Sequence, residues 1–192
     1  MVRKIIVSLV LVVGFSLMSL TSWGAASPAG MPAPPFTVES GENQKLTRDM
    51  ILGKVVVLFY ETRQVIDKNE ELKDELKCLY RAQPENIKQE ILRLVVIDCS
   101  EACLPTLPIW KTKLAENSRV QGFTIYGDWN RRMLMDYQLQ GNDSNFLIID
   151  KQGIVRYAAT GKIGNGHFQK IKDLLFSLVK EDWSRSSPLA RR

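Results

Sequence analysis

Six consecutive apolar residues, Val55-Val56-Val57-Leu58-Phe59-Tyr60, follow Gly53-Lys54. A strand with one wet face alternates apolar and polar side chains. A run that is apolar at every position is instead a strand covered on both faces, as in parallel sheets with crossover helices. Leu92-Arg93-Leu94-Val95-Val96-Ile97-Asp98 reads as a second buried strand. Between them, residues 68–81 place Leu72, Leu76 and Leu79 on one helical stripe, with Glu70, Glu71, Asp74 and Glu75 around the rest. A strand, a crossover helix and a second strand predict a parallel pair. The four carboxylates read as a solvated helix face, because a helix cannot wrap an ion as a loop does. Glu70–Asp74 and Glu71–Glu75 are like-charge pairs, relieved by Lys73 and Lys77. Pro84 then marks a break.

The rest of the chain extends this frame. Residues 36–39 and 44–47 read as short strands around the turn 40–43. Residues 106–116 read as a helix and 123–126 as a strand, with a turn at 127–130; 133–139 is short and ambiguous. Residues 146–150 and 154–157 form a hairpin about Lys151-Gln152-Gly153. Residues 168–183 form a closing amphipathic helix, with Phe168, Ile171, Leu174, Leu175 and Leu178 on one face. The order predicts an α/β fold: a mixed sheet flanked by helices, with an N-terminal β-hairpin.

Residues 1–26 read as a secretory signal. Arg3 and Lys4 precede an apolar run from residue 5 to 20, and small residues 22–27 offer a cleavage point after Gly24 or Ala26. The run is short of the roughly 20 residues that span a bilayer, so no stable membrane anchor is expected after cleavage. Residues 27–35 hold four prolines in nine positions and read as an extended linker. The domain then occupies 36–183, and 184–192 reads as a basic disordered tail. The net charge of +5 follows this division: the signal carries two basic residues, the tail three arginines, and residues 27–183 balance 21 basic with 21 acidic side chains. A neutral domain with no basic face is not a nucleic-acid binder. One histidine excludes a multi-His metal site, and no cofactor is implied.

Several segments resemble known proteins in order. Residues 33–38 (APPFTV) resemble the opening of secreted thioredoxin-like, peroxiredoxin-like and TlpA-like proteins, and 53–60 (GKVVVLFY) resemble their first core strand. Residues 123–128 and 137–141 resemble their insertion, and 146–155 (FLIIDKQGIV) their late hairpin. The resemblance implies a thioredoxin-like fold over about residues 32–182. In that superfamily the loop after the first core strand holds a C-x-x-C pair at a helix N-terminus, which lowers the thiol pKa. A cis-proline precedes the late hairpin. Here Gln64 and Asp67 stand at the cysteine positions, and Asp143-Ser144-Asn145 stands where the proline would be. The YtfJ-type periplasmic proteins share both departures, and residues 137–155 resemble theirs. The expected function is a non-catalytic binding or accessory module in the periplasm or outside the cell, with an envelope protein or small ligand as partner.

Two candidate sites remain. Glu61, Arg63, Gln64 and Asp67 form a polar loop where the redox pair would lie, with Arg63 able to hold an anion. The competing reading is a solvated loop with Asp67 near the N-cap of the following helix. Cys99 and Cys103 follow the second core strand, on the sheet edge where open α/β folds place their sites. Residues four apart in a helical turn are within disulfide reach, and an oxidising compartment favours closure. A bridge from Cys78 to either is a second possibility. The alternative function is a thiol–disulfide oxidoreductase, or a thiolate copper-binding protein, using Cys99 and Cys103; the spacing resembles that of Sco-type copper chaperones but follows a different strand. Trp110 and Trp129 read as core or groove-wall packing, and His167 as a surface histidine with Asn165 as a helix cap.

Overall fold

The structure is a computed structural model that describes residues 29–180. The signal segment 1–26, the tail 184–192 and the end of the closing helix, with Trp183, lie outside the described residues. Seven strands form one sheet: β1 (Thr37–Ser40), β2 (Lys45–Thr47), β3 (Val55–Glu61), β4 (Ile91–Asp98), β5 (Ile125–Asp128), β6 (Asn145–Ile149) and β7 (Val155–Thr160). Five helices accompany them: α1 (Glu70–Arg81), α2 (Glu85–Lys88), α3 (Leu107–Gln121), α4 (Arg132–Asp136) and α5 (Phe168–Lys180). The sheet order is β2-β1-β5-β4-β3-β6-β7. β3, β4 and β5 are parallel, and β6 joins β3 antiparallel. This is the mixed sheet flanked by helices, with its N-terminal hairpin, that the sequence predicts.

All seven residues of β3 are buried, as an apolar run at the centre of a sheet requires. Alternation along the strand sends Val56, Leu58 and Tyr60 to one face, under Phe36, Met133 and Tyr137. Val55, Val57 and Phe59 go to the other, under Leu72 and Leu76 of α1 and Ile171, Leu175 and Leu178 of α5. Burying one such side chain contributes about 1.5–3 kcal/mol. The steps from β3 to β4 and from β4 to β5 run in the same direction, so right-handed crossovers put α1 and α3 on the same face.

Several elements differ from the sequence reading. β5 begins at Ile125, because α3 runs on to Gln121 and ends on Gly122 in the left-handed region (φ 71°), which leaves Phe123 in the turn. Residues 132–136 form α4, and a short α2 follows Pro84. α1 begins at Glu70, with Asn69 as its N-cap residue. β4 is not covered on both faces: Ile91, Arg93 and Val95 are half-buried. The described part of the proline-rich segment lies against the late hairpin, with the Ala33 amide donating to Gly153 O at 2.7 Å.

Candidate functional site at the carboxyl edge of the sheet

The register of β3 with β6 brings the two halves of the expected site together. Tyr60 pairs with Asn145, so the next step along each strand sets Glu61 beside Ser144. Alternation turns Glu61 toward α1, and its side chain is fully buried. The Lys73 ammonium donates to Glu61 Oε2 at 2.6 Å, and the Ser144 hydroxyl to Oε1 at 2.7 Å. Asn69 Nδ2 donates to Ser144 Oγ and to Gly161 O, each at 2.8 Å, while Asn69 Oδ1 accepts the Ile163 amide at 2.8 Å. Beside this network Lys68 pairs with Asp143 at 2.6 Å. The loop after β3 is therefore stitched to the start of β6 by two adjacent pairs, Lys68–Asp143 and Asn69–Ser144.

Burial pushes the Glu61 carboxyl up, and its bond to Lys73 only partly offsets this. Burial alone would raise Asp143 as well, but the Lys68 ammonium and the Ser144 amide hold it below its ordinary value.

The expected polar loop is thus divided. Glu61 is the last residue of β3 and points inward. Arg63 is exposed and lies over the Trp110 ring of α3, 4.9 Å from its centroid. Gln64 and Asp67 face solvent. Asp67 is not the N-cap residue of α1; Asn69 is, and its side chain is spent on β6 and the segment after β7 rather than on the helix end. Lys73 reaches past its own carboxylate neighbours to Glu61. Asn69, Lys73 and Ser144 carry no chemical motif, and the signal for them lies only in pairing the first core strand with the late hairpin. Asn165 donates to Glu71 at 2.7 Å instead of capping, and His167 is an exposed residue near Tyr157.

The second candidate pair is separated by burial. Cys99 is 1% exposed and packs with Ile97, Leu114 and Ile125. Cys103 and Cys78 are exposed, and all three thiols are free. The Cys99–Cys103 bridge is therefore not formed in this structure, because one sulfur faces the small core under α3 and the other solvent. Burial, then Asp98 and Asp128, push the Cys99 thiol up to about 12. A thiol held protonated is a poor nucleophile. Cys78 and Cys103 are expected to react with iodoacetamide in the native protein, and Cys99 only after unfolding. Equal labelling of all three, or none, would contradict this arrangement.

On the other side of the edge, the Tyr60 hydroxyl donates to Asp128 Oδ2 at 3.1 Å, and Asp128 accepts the Arg132 and Leu134 amides at the start of α4. Asp98 pairs with Arg131 at 3.0 Å.

Solved structures share this fold. A thioredoxin-like superfamily protein matches with a TM-score of 0.58 at 20% identity, over 79% of this chain and 98% of its own. The fold is thioredoxin-like. The exposed lipoprotein thioredoxin of Streptococcus pneumoniae matches at 0.54 and 14% identity, over 76% of this chain and all of its own. A thiol-disulfide oxidoreductase from Bacteroides fragilis matches at 0.54 and 17%, over 74% and 98%. At these identities the likeness establishes the fold. No family model and no curated protein matches the sequence.

Proposed function

We propose that this thioredoxin-fold protein acts outside the cytoplasm by binding an envelope protein or small ligand, and not by thiol–disulfide exchange. The observation that carries this reading is the stitched edge: Gln64 and Asp67 stand where the resemblance expects the thiol pair, and directly after them Lys68 and Asn69 bond to Asp143 and Ser144, where it expects a cis-proline. Neither pair can accept electrons from a dithiol, and Cys99 lies below the surface with its thiol protonated. The polar surface left over that ground, with Arg63 on Trp110 and with Gln64 and Asp67 exposed, suits recognition. The signal-like residues 1–26 support export, and residues 137–155 support kinship with the YtfJ-type periplasmic proteins.

Reduction of insulin by dithiothreitol, followed by turbidity, tests the reading. The protein is expected to leave the rate unchanged, and Cys99→Ser/Cys103→Ser to behave identically. Acceleration that the double variant abolishes would establish the oxidoreductase instead.

A further inference from the structure

β4 has parallel neighbours on both sides, a position in which a strand is ordinarily covered on both faces. Its face toward α1 and α3 is only partly covered. α1 packs over β3 through Leu72 and Leu76. α3 is held toward the far edge, where the β1–β2 turn meets its backbone at Gly41 and Lys111 pairs with Glu39 at 2.6 Å. The gap between the two helices is a groove of about 410 Å³, within the range of small-molecule sites. Val95 and Ile97 line its floor, Tyr80 of α1 one wall, and Leu114 and Phe123 the other.

Arg93 rises from this apolar floor. Its guanidinium lies over the Tyr80 ring at 4.6 Å and the Phe123 ring at 4.9 Å, one from each wall. Among the described residues no carboxylate lies within ion-pair distance of it, and no protein acceptor takes its side-chain N–H groups. A guanidinium has five donors in a planar fork that matches a carboxylate, and the rings that flank it leave that fork to a ligand. A half-buried cation with no ion-pair partner, in a mainly apolar groove whose lining also includes Asp67, Glu70 and Asp74 with Lys73 and Lys77, is complementary to an anion carried on an apolar body. We infer that the groove binds a small amphiphile, a carboxylate joined to an aromatic or short acyl body. The carboxylate lies on Arg93 and the body against Val95, Ile97 and Leu114. The groove runs on to Ile66, Asp67 and Lys73 beside the stitched edge, but Arg93 takes no part in the bonds of that edge, so failure of this inference would leave the reading of the edge intact.

The test is isothermal titration of the full chain with 1-naphthoate and, as the neutral isostere, 1-naphthalenemethanol. Saturable 1:1 binding of the carboxylate is expected, with the alcohol about tenfold weaker or more, the difference a charge-assisted hydrogen bond makes. Arg93→Met is expected to bring naphthoate down to the level of the alcohol, and Leu114→Trp, which fills the groove, to abolish both. In the wild-type protein, naphthoate-induced amide shifts are expected on β4 and the facing flanks of α1 and α3; this arm holds even if a variant fails to fold. No saturable binding up to millimolar ligand, equal binding by Arg93→Met, or shifts confined to the Arg63–Trp110 edge would each overturn the inference.

Discussion

Lys73→Met is expected to cost about 3–5 kcal/mol at neutral pH, the loss typical of removing one partner from a buried ion pair. For a domain of this size that is a fall in Tm of roughly 6–20 °C. The asymmetry of the pair sets the size. Lys73 keeps 24% of its side-chain exposure and can reach water, whereas Glu61 has none. Removing the lysine strands a carboxylate with only the Ser144 hydroxyl as donor. Burial already holds Glu61 above its ordinary value, and without the ammonium it rises further. The native variant then binds a proton that the unfolded chain releases, over the pH range between the ordinary carboxylate value and the raised one. Stability must fall as pH rises through that range, by up to about 1.4 kcal/mol per pH unit, and return on acidification. Adding Glu61→Gln removes the stranded charge while leaving an acceptor for Ser144, so the double variant is expected to recover most of the loss at pH 7 and to lose the slope. Urea unfolding of the wild-type protein and the two variants between pH 4.5 and 8 checks this. A cost below 1 kcal/mol, or a pH-independent cost, would mean that Glu61 is not held as described.

How much of this the sequence shows depends on the range of each interaction. The apolar run of β3 and the alternation of the late hairpin are local patterns, and both strands lie where they predict. β5 is displaced by two residues because Phe123 and Thr124 have strand propensity, while the decision is made by Gly122 and by pairing of Val95 with Ile125. The site was less legible. Glu61 looks like the polar stop of a strand, and Lys73 like one charge in a solvated stripe. Their union depends on how α1 lies over β3, and the Ser144 bond that completes it depends on the β3–β6 register, which joins residues 83 apart. That Gln64 and Asp67 stand where the resemblance expects cysteines is, by contrast, a matter of residue identity, which needs no long-range contact to be read. Coverage of β4 was misjudged for a related reason: an apolar strand declares that it can be buried, and the position of the helix above it is set elsewhere.

Gly41→Ala tests what sets that position. α3 buries only Leu114 and Ala115 along fifteen residues, too little for an apolar stripe to hold it. It is fastened instead by the β1–β2 turn. Lys111 pairs with Glu39 and lies 5.6 Å from the Trp129 ring centroid, and the Trp129 indole donates to Glu39 O at 2.9 Å. Gly41 lets this turn approach the helix backbone. A Cβ there would meet Ala115 N at 2.6 Å and would come still closer to the Lys111 carbonyl oxygen. Both atoms belong to the helix backbone and cannot rotate aside, so helix and turn must separate. The expected cost is about 3 kcal/mol, the upper end of overpacking, with a fall in Tm of roughly 6–12 °C. Ala115→Gly removes the lesser contact, a Cβ at 3.1 Å, and is expected not to rescue the variant. Rescue would locate the clash at that side chain, and an unchanged Tm would show that α3 is free to shift. The same displacement changes the width of the space over β4, so in Gly41→Ala the affinity for naphthoate should change together with stability, although Gly41 lies outside the groove.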